Sequence, residues 1–310
     1  MSREHTIARG REHFRWDRTL LPVLEIEPGD TVAYDLEEVS GGQITPHSTA
    51  ADLARMNMDR VYPLAGPIYA KGARPDDALA VTVVTLVSGP WGWTSISPDL
   101  GLLGSEFEPY LHHWDLTAGD HAMLKPGVRV PLEPFCGTMG VAPADDGQLP
   151  VMPPGPFGGN MDIRHLTVGS TVILPVWTDG ALFSVGDCHA AQGDGEVSVS
   201  AIECPMRAVL RFDVRRGVRL TAPRFMTPGP LAPRAAHRGY YATTGIGPDL
   251  MEGARAAIRD MIRMLMEEHG LTREEAYVLC SVAVDLKLSE VVDHPNWVVS
   301  AYLPRAVLVP

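Results

Sequence analysis

An aspartate, a histidine and a glutamate with spacing suited to proton or metal chemistry stand close together in this chain. In Ala181-Leu182-Phe183-Ser184-Val185-Gly186-Asp187-Cys188-His189 a strand would place Asp187 and His189 on one face with Ala181, Phe183 and Val185. A glycine-bearing loop, residues 190–195, then reverses direction, and residues 196–203 alternate again, with Val197, Val199, Ala201 and Glu203 on a common face. If the apolar faces coincide in a hairpin, Asp187, His189 and Glu203 project from its buried side. Buried charge is costly unless it is paired, protonated or bound to a metal. Asp and His at i, i+2 on a strand rim can chelate one divalent ion, and this donor set suits zinc, iron or manganese. The plainer alternative is that Asp187 and Asp194 brace a glycine turn while His189 donates to a backbone carbonyl. The concentration of Asp162, Asp187, His189, Asp194, Glu196 and Glu203 in one strand system favours a functional site.

Upstream, Gly155-Pro156-Phe157-Gly158-Gly159-Asn160-Met161-Asp162 holds too many glycines for a strand and should lie just before one. Amides at Gly158, Gly159 and Asn160 could serve as oxyanion donors, and Asp162 as a metal ligand or a cap. His113 and Asp115 share a strand face in His112-His113-Trp114-Asp115, which makes His113 a further candidate base, with a half-buried structural histidine as the alternative. No Gly-x-Ser-x-Gly elbow is present, and Cys188 points away from His189 in a strand. Cys136 reads more readily as a small buried hydrophobe than as a nucleophile.

The elements that must position these residues are mostly strands. Residues 1–225 read as short β-branched runs separated by Gly, Pro and Asp, the pattern expected of a β-sandwich or barrel that carries the hairpin. Residues 226–310 read as an α/β part packed against it. There, apolar spacing predicts a helix from about Asp249 to His269 capped by Gly270, and Thr272 with Glu275 forms a capping box for a second helix through about Val284. Residues 297–302 read as a closing strand. With 310 residues, a net charge of −12 and 45% hydrophobic residues, the chain suits a compact globular protein. The acidic balance disfavours nucleic acid and anionic membrane surfaces as partners and suits a metal ion or a small neutral or cationic ligand. Four scattered cysteines and the lack of an apolar leader or spanning stretch lead to the expectation of a cytoplasmic protein.

Taken together these segments resemble the acetamidase/formamidase family along nearly the whole chain. The carriers are residues 64–69 (LAGPIY), 72–77 (GARPDD), 140–143 (GVAP), 158–162 (GGNMD), 182–187 (LFSVGD), 189–196 (HAAQGDGE) and 295–299 (PNWVV). The resemblance implies a jelly-roll-like β-sandwich core with an added α/β portion, in a homodimer or higher oligomer that hydrolyses formamide, acetamide or a related short amide to a carboxylate and ammonia. It carries the family's Asp-x-His-x-x-Gln-Gly-Asp-Gly-Glu pattern onto Asp187, His189, Gln192, Gly193, Asp194, Gly195 and Glu196. One departure is Tyr62, where relatives often carry histidine. The expected chemistry is attack by metal-activated water, with Asp162, Asp187 and His189 as ligands of a divalent ion such as zinc. Glu203 is then the general base, with His113 and Asp194 as further catalytic candidates. The competing reading is a non-catalytic sandwich binding Ca²⁺ or a small ligand through the Asp187–Glu196 loop.

Overall fold

The computed structural model describes residues 2–229, 231, 237–292 and 294–309. The first half runs β1 (Glu4–Ile7), β2 (Glu12–His13), β3 (Leu24–Ile26), β4 (Thr31–Leu36), α1 (Ala50–Leu53), β5 (Leu64–Ala70), β6 (Ala78–Ser88), β7 (Trp91–Ile96), β8 (Tyr110–Asp115), β9 (His121–Lys125), β10 (Val128–Pro131) and β11 (Phe135–Gly140). The second half holds β12 (Gly158–Asn160), β13 (Thr171–Pro175), β14 (Phe183–His189), β15 (Met206–Arg215), β16 (Arg224–Met226), β17 (Tyr240–Gly247), α2 (Leu250–His269), α3 (Arg273–Ala283), β18 (Asp285–Glu290) and β19 (Trp297–Pro304).

The fold is mainly β, with several open sheets, three helices and no closed barrel among the described residues. One large sheet has the order β1-β4-β15-β6-β13-β16, and the other β12-β11-β14-β5-β2, with β3 also on β5. Alternation builds the first: along β15, Met206, Ala208, Leu210 and Phe212 are buried while Arg207 and Arg211 face solvent. Phe212 meets Phe183 of the second sheet edge to face, 5.1 Å between ring centres, so the two sheets share one core. Strand β14 is buried along its whole length, because β11 and β5 flank it on both sides. That is the strand that carries Asp187 and His189.

Both expected helices form. Asp249 caps α2 through the Glu252 amide, and Gly270 closes it in the left-handed conformation that glycine adopts without strain. Ala254, Ile258, Met261, Ile262 and Leu265 are buried as the spacing predicts, whereas Met266 is exposed. Thr272 and Glu275 make the capping box of α3. Helix α2 lies on the sheet β17-β19-β18, and the end of α3 reaches the glycine loop after β14. Gly193 donates to the Ser281 carbonyl at 2.8 Å, and Leu286 donates to the Asp194 carbonyl at 3.0 Å. Any side chain at Gly193 would collide with Val284.

Two local expectations are corrected. Residues 196–203 do not form the return strand of a hairpin; they make successive turns, with Glu196 and Val199 at φ of 42° and 69°. Those left-handed residues break the two-residue period, and Ser198 and Ser200 bond to Ser95, Ser281 and Ala201 instead of to a ladder. Antiparallel contact with β14 resumes only at its end, where Cys204 donates to Cys188 and Ala190 to Ile202. The second correction concerns Gly158–Asn160, which form a strand on β11. Gly158 and Gly159 have φ near 90°, and a Cβ on Gly158 would lie 2.6 Å from the Met139 carbonyl oxygen, so glycine there permits pairing rather than preventing it.

Candidate active site

Asp187 and His189 leave β14 toward a cavity of about 570 Å³. The turns at 196–203 bring Glu203 back beside them, where it pairs with Trp93 of β7 and bridges to His189. Asp162 enters from the segment after β12, and Glu196 from the glycine loop. His189 Nε2 lies 3.2 Å from Asp187 Oδ1, 3.2 Å from Glu203 Oε2 and 4.0 Å from Glu196 Oε1. His189, Asp187 and Glu203 are 1%, 2% and 3% exposed. Four carboxyl groups around one imidazole in such a setting are far from electrical balance.

The protonation equilibria express that imbalance. Burial and the neighbouring Asp187 carboxylate push Asp162 up to about 7. Burial and Asp162 hold Glu196 well above the usual carboxylate range. Burial raises Glu203 as well, although His189 opposes the shift. For His189 burial works against the charged form, but Glu203 and Asp187 overcome it and hold the imidazole well above its ordinary value. Two buried oxygens, Asp162 Oδ1 and Glu203 Oε2, lack a hydrogen-bond donor.

A surrounding layer fixes these groups. Gln192 Nε2 donates to the Asp162 carbonyl at 2.8 Å, which turns its Oε1 to His189 Nδ1 at 2.9 Å. Nδ1 therefore carries a proton, and Nε2 is the atom turned to the carboxylates. Thr138 donates to Asn160 Oδ1 at 2.5 Å, and Asn160 Nδ2 donates to Asp162 Oδ2 at 3.1 Å. Gly137 forms the floor, since a Cβ there would collide with Asp162 Oδ1 and lie 2.9 Å from His189 Cε1. Five of the nine non-glycine residues with left-handed backbone among those described line this one cavity: Tyr62, Asp162, Asp187, Glu196 and Val199. Strain of that kind concentrates where side-chain direction matters more than local stability.

Of the residues singled out by sequence, Asp162, Asp187, His189, Glu203 and Asn160 meet at the cavity. Gly158 does not line it, and its amide is spent on the Gly155 carbonyl. Gly159 lies beneath, against Phe157 and Trp16. His113 is not brought to the cluster; its Nε2 bonds the Ser48 carbonyl at 2.7 Å. Asp194 is likewise outside, beside Asp285 and Arg164. Nothing in the sequence pointed to Gly137, and Gln192 stood in the family pattern without a role assigned to it. The position of Gln192 three residues after His189 was the available signal. Cys188 and Cys204 are fully buried with thiols raised by that burial, Cys204 to about 12, so neither is a ready nucleophile.

Asp162, Asp187 and His189 each offer a ligand atom, and the three atoms lie within 4.8 Å of one another; the same holds for His189, Glu196 and Glu203. A hard-oxygen and imidazole donor set, an orphaned buried carboxylate oxygen and excess negative charge all fit a divalent cation. A buried set of perturbed acids beneath a largely apolar cavity is the arrangement of an enzyme site for a small molecule.

Comparison with known proteins agrees. The model of the acetamidase/formamidase family matches residues 1–150 and 147–309. A formamidase from Methylophilus methylotrophus is 26% identical, over 96% of this chain and 89% of that protein. An acetamidase from Mycolicibacterium smegmatis is 28% identical, over 86% and 84%. Among solved structures, a gamma lactamase from Delftia acidovorans aligns with a TM-score of 0.91 at 25% identity, covering 98% of this chain and 93% of that one. An acetamidase from Bacillus halodurans aligns with a TM-score of 0.69 at 30% identity, covering 97% of each. The chain belongs to the acetamidase/formamidase family and is an amidase, a hydrolase of amide C–N bonds. The reading as a non-catalytic calcium-binding sandwich gives way to that membership.

Proposed function

We propose that this amidase hydrolyses aliphatic amides, formamide and acetamide among them, to a carboxylate and ammonia. The names of the formamidase and acetamidase relatives support the substrate class. The observation that carries the chemistry is the convergence of Asp162, Asp187, Glu196 and Glu203 around His189, whose Nε2 faces Asp187, Glu203 and Glu196. Asp162, Asp187 and His189 would hold a divalent ion, zinc being well suited to them, with Glu196 beside it. When bound, such an ion supplies Lewis acidity for the amide carbonyl and for the attacking water.

The protein's own groups account for orientation and proton movement. Glu203 Oε1 is anchored by the Ala201 amide at 2.9 Å, which leaves Oε2 to take a proton from water. Burial makes that carboxylate more basic than an exposed one, as a general base near neutral pH requires. The same oxygen returns the proton to the amide nitrogen as the C–N bond breaks, and ammonia leaves. Gln192 keeps His189 in one orientation, and Asn160 does the same for Asp162. Tyr62, whose phenol burial and the adjacent carboxylates keep protonated, is a donor facing the same space.

Elemental analysis of purified protein with ammonia-release assays tests this reading. Stripping the metal should abolish turnover, and zinc or another divalent ion should restore it. Full activity in protein shown to be metal-free would sink the assignment of these residues to an ion. Glu203→Gln should lower kcat by about 10²- to 10⁴-fold, the usual contribution of a positioned general base.

A further inference from the structure

The cavity is much larger than the smallest amides need. A water molecule's share of liquid volume is about 30 Å³, so a four-heavy-atom amide displaces on the order of 100 Å³. The cavity measures about 570 Å³. The chemical groups occupy one region, and apart from Ser95, Ser97 and Ser200 most of the remaining lining is apolar. Val39, Val61 and Trp93 form a separate hydrophobic cluster with Met56 packed on it, and all four line the cavity. This wall is held in place by the buried Glu38, which accepts from Trp93 Nε1 at 3.0 Å and from the Ser40 amide at 2.8 Å.

The surface adds an independent observation. Met58, Leu100 and Met152 are 60%, 40% and 40% exposed, come from three separate chain segments, and line the same cavity. Large apolar side chains left in water on a cavity whose inner wall is apolar extend apolar lining from that wall to the solvent-exposed rim. Methionine, unbranched and polarisable, adapts to ligands of varied shape.

From this we infer that the preferred substrates are amides whose acyl group is an apolar chain or ring of several carbons, with the carboxamide at Glu203 and the acyl group along the wall of Met56, Val61 and Trp93 toward Met58 and Met152. The inference rests on the amide-hydrolysis reading and specifies its substrate. The reaction balances as RCONH₂ + H₂O → RCOO⁻ + NH₄⁺, whatever the length of R. Each methylene buried against the wall raises kcat/KM by about fourfold, the equivalent of its transfer from water.

The test is kcat/KM for formamide, acetamide, butanamide, hexanamide and phenylacetamide with the metal-loaded enzyme. A rise of about two orders of magnitude from acetamide to hexanamide is expected. In M58S/M152S, two exposed positions where substitution spares the core, the hexanamide-to-acetamide ratio should fall at least fivefold. Turnover of acetamide with a flat or falling series overturns this inference and leaves the amidase reading intact. An unchanged ratio in the double variant also overturns it. No turnover of any amide by the loaded enzyme would remove both.

Discussion

Gly137 contributes by having no side chain. It lies in β11 between Cys136 and Thr138, which pair with Cys188 and Gly186 of β14, and the space its Cβ would fill is taken by Asp162 Oδ1, His189 Cε1 and Asp187 Oδ2. Its backbone is not in the left-handed region, so the constraint is room alone. In G137A the strand pairing has no reason to fail, but Asp162 and His189 must move apart. Displacements of about 1 Å at a reacting centre cost about 10²-fold in rate. G137A should therefore lose at least that factor in kcat/KM while its melting temperature changes little, measured by ammonia release alongside thermal denaturation. An active G137A would show that the cluster tolerates a looser arrangement than its packing implies.

At the scale of elements, the junction of α3 and β18 holds the loop that carries Glu196. Arg164 bonds Asp285 and, at 3.0 Å, Glu133, while the Asp194 amide donates to Asp285 Oδ1 at 3.1 Å. Arg164 and Asp285 are both buried, and removing one partner of such a pair costs about 3–5 kcal/mol. Asp285→Ala should show that loss in urea denaturation, with a fall in activity because the loop is released. Asp30 ties β1 to β4 in the same manner. Although burial alone would raise it, the amides of Arg3 and Glu27 together with His5 leave its carboxyl below the usual range. A depressed native value contributes stability above the unfolded value of about 4, and that contribution is lost as pH falls through the native value. Asp30→Asn should accordingly flatten the acid limb of a stability-versus-pH curve and leave its slope near neutrality unchanged.

These elements also show what could be read from sequence. Helices α2 and α3 were legible because caps and apolar periodicity are local signals, and β14 because its alternation is. The meeting of Asp187, His189 and Glu203 was foreseen through a hairpin that does not exist. Their actual meeting depends on left-handed turns at Glu196 and Val199 and on a Glu203–Trp93 pairing 110 residues apart in sequence. Such long-range pairings leave no periodic trace. Gly158–Asn160 misled for the opposite reason, since glycine weakens a strand in general but is needed where two backbones approach closely.

Over the whole molecule, the site is a debt in stability that binding can repay. A chain of net charge −12 gathers the buried Asp187 and Glu203 and the half-buried Asp162 and Glu196 around a single buried histidine, and several of those residues adopt strained backbone as well. Without a cation, some carboxyls must stay protonated, as the upward displacement of Asp162 and Glu196 shows. A divalent ion that binds only the folded state adds about 2.7 kcal/mol when present at 100 times its dissociation constant. Protein treated with chelator and dialysed should melt several degrees lower than protein in zinc, with the difference growing with zinc concentration. Asp187→Asn should shrink that difference sharply, because it removes a ligand and relieves part of the repulsion at the same time. Its melting temperature in chelator should then equal or exceed that of the parent. Equal melting temperatures for the parent protein with and without divalent ions would show that the carboxylate cluster pays its own way by protonation.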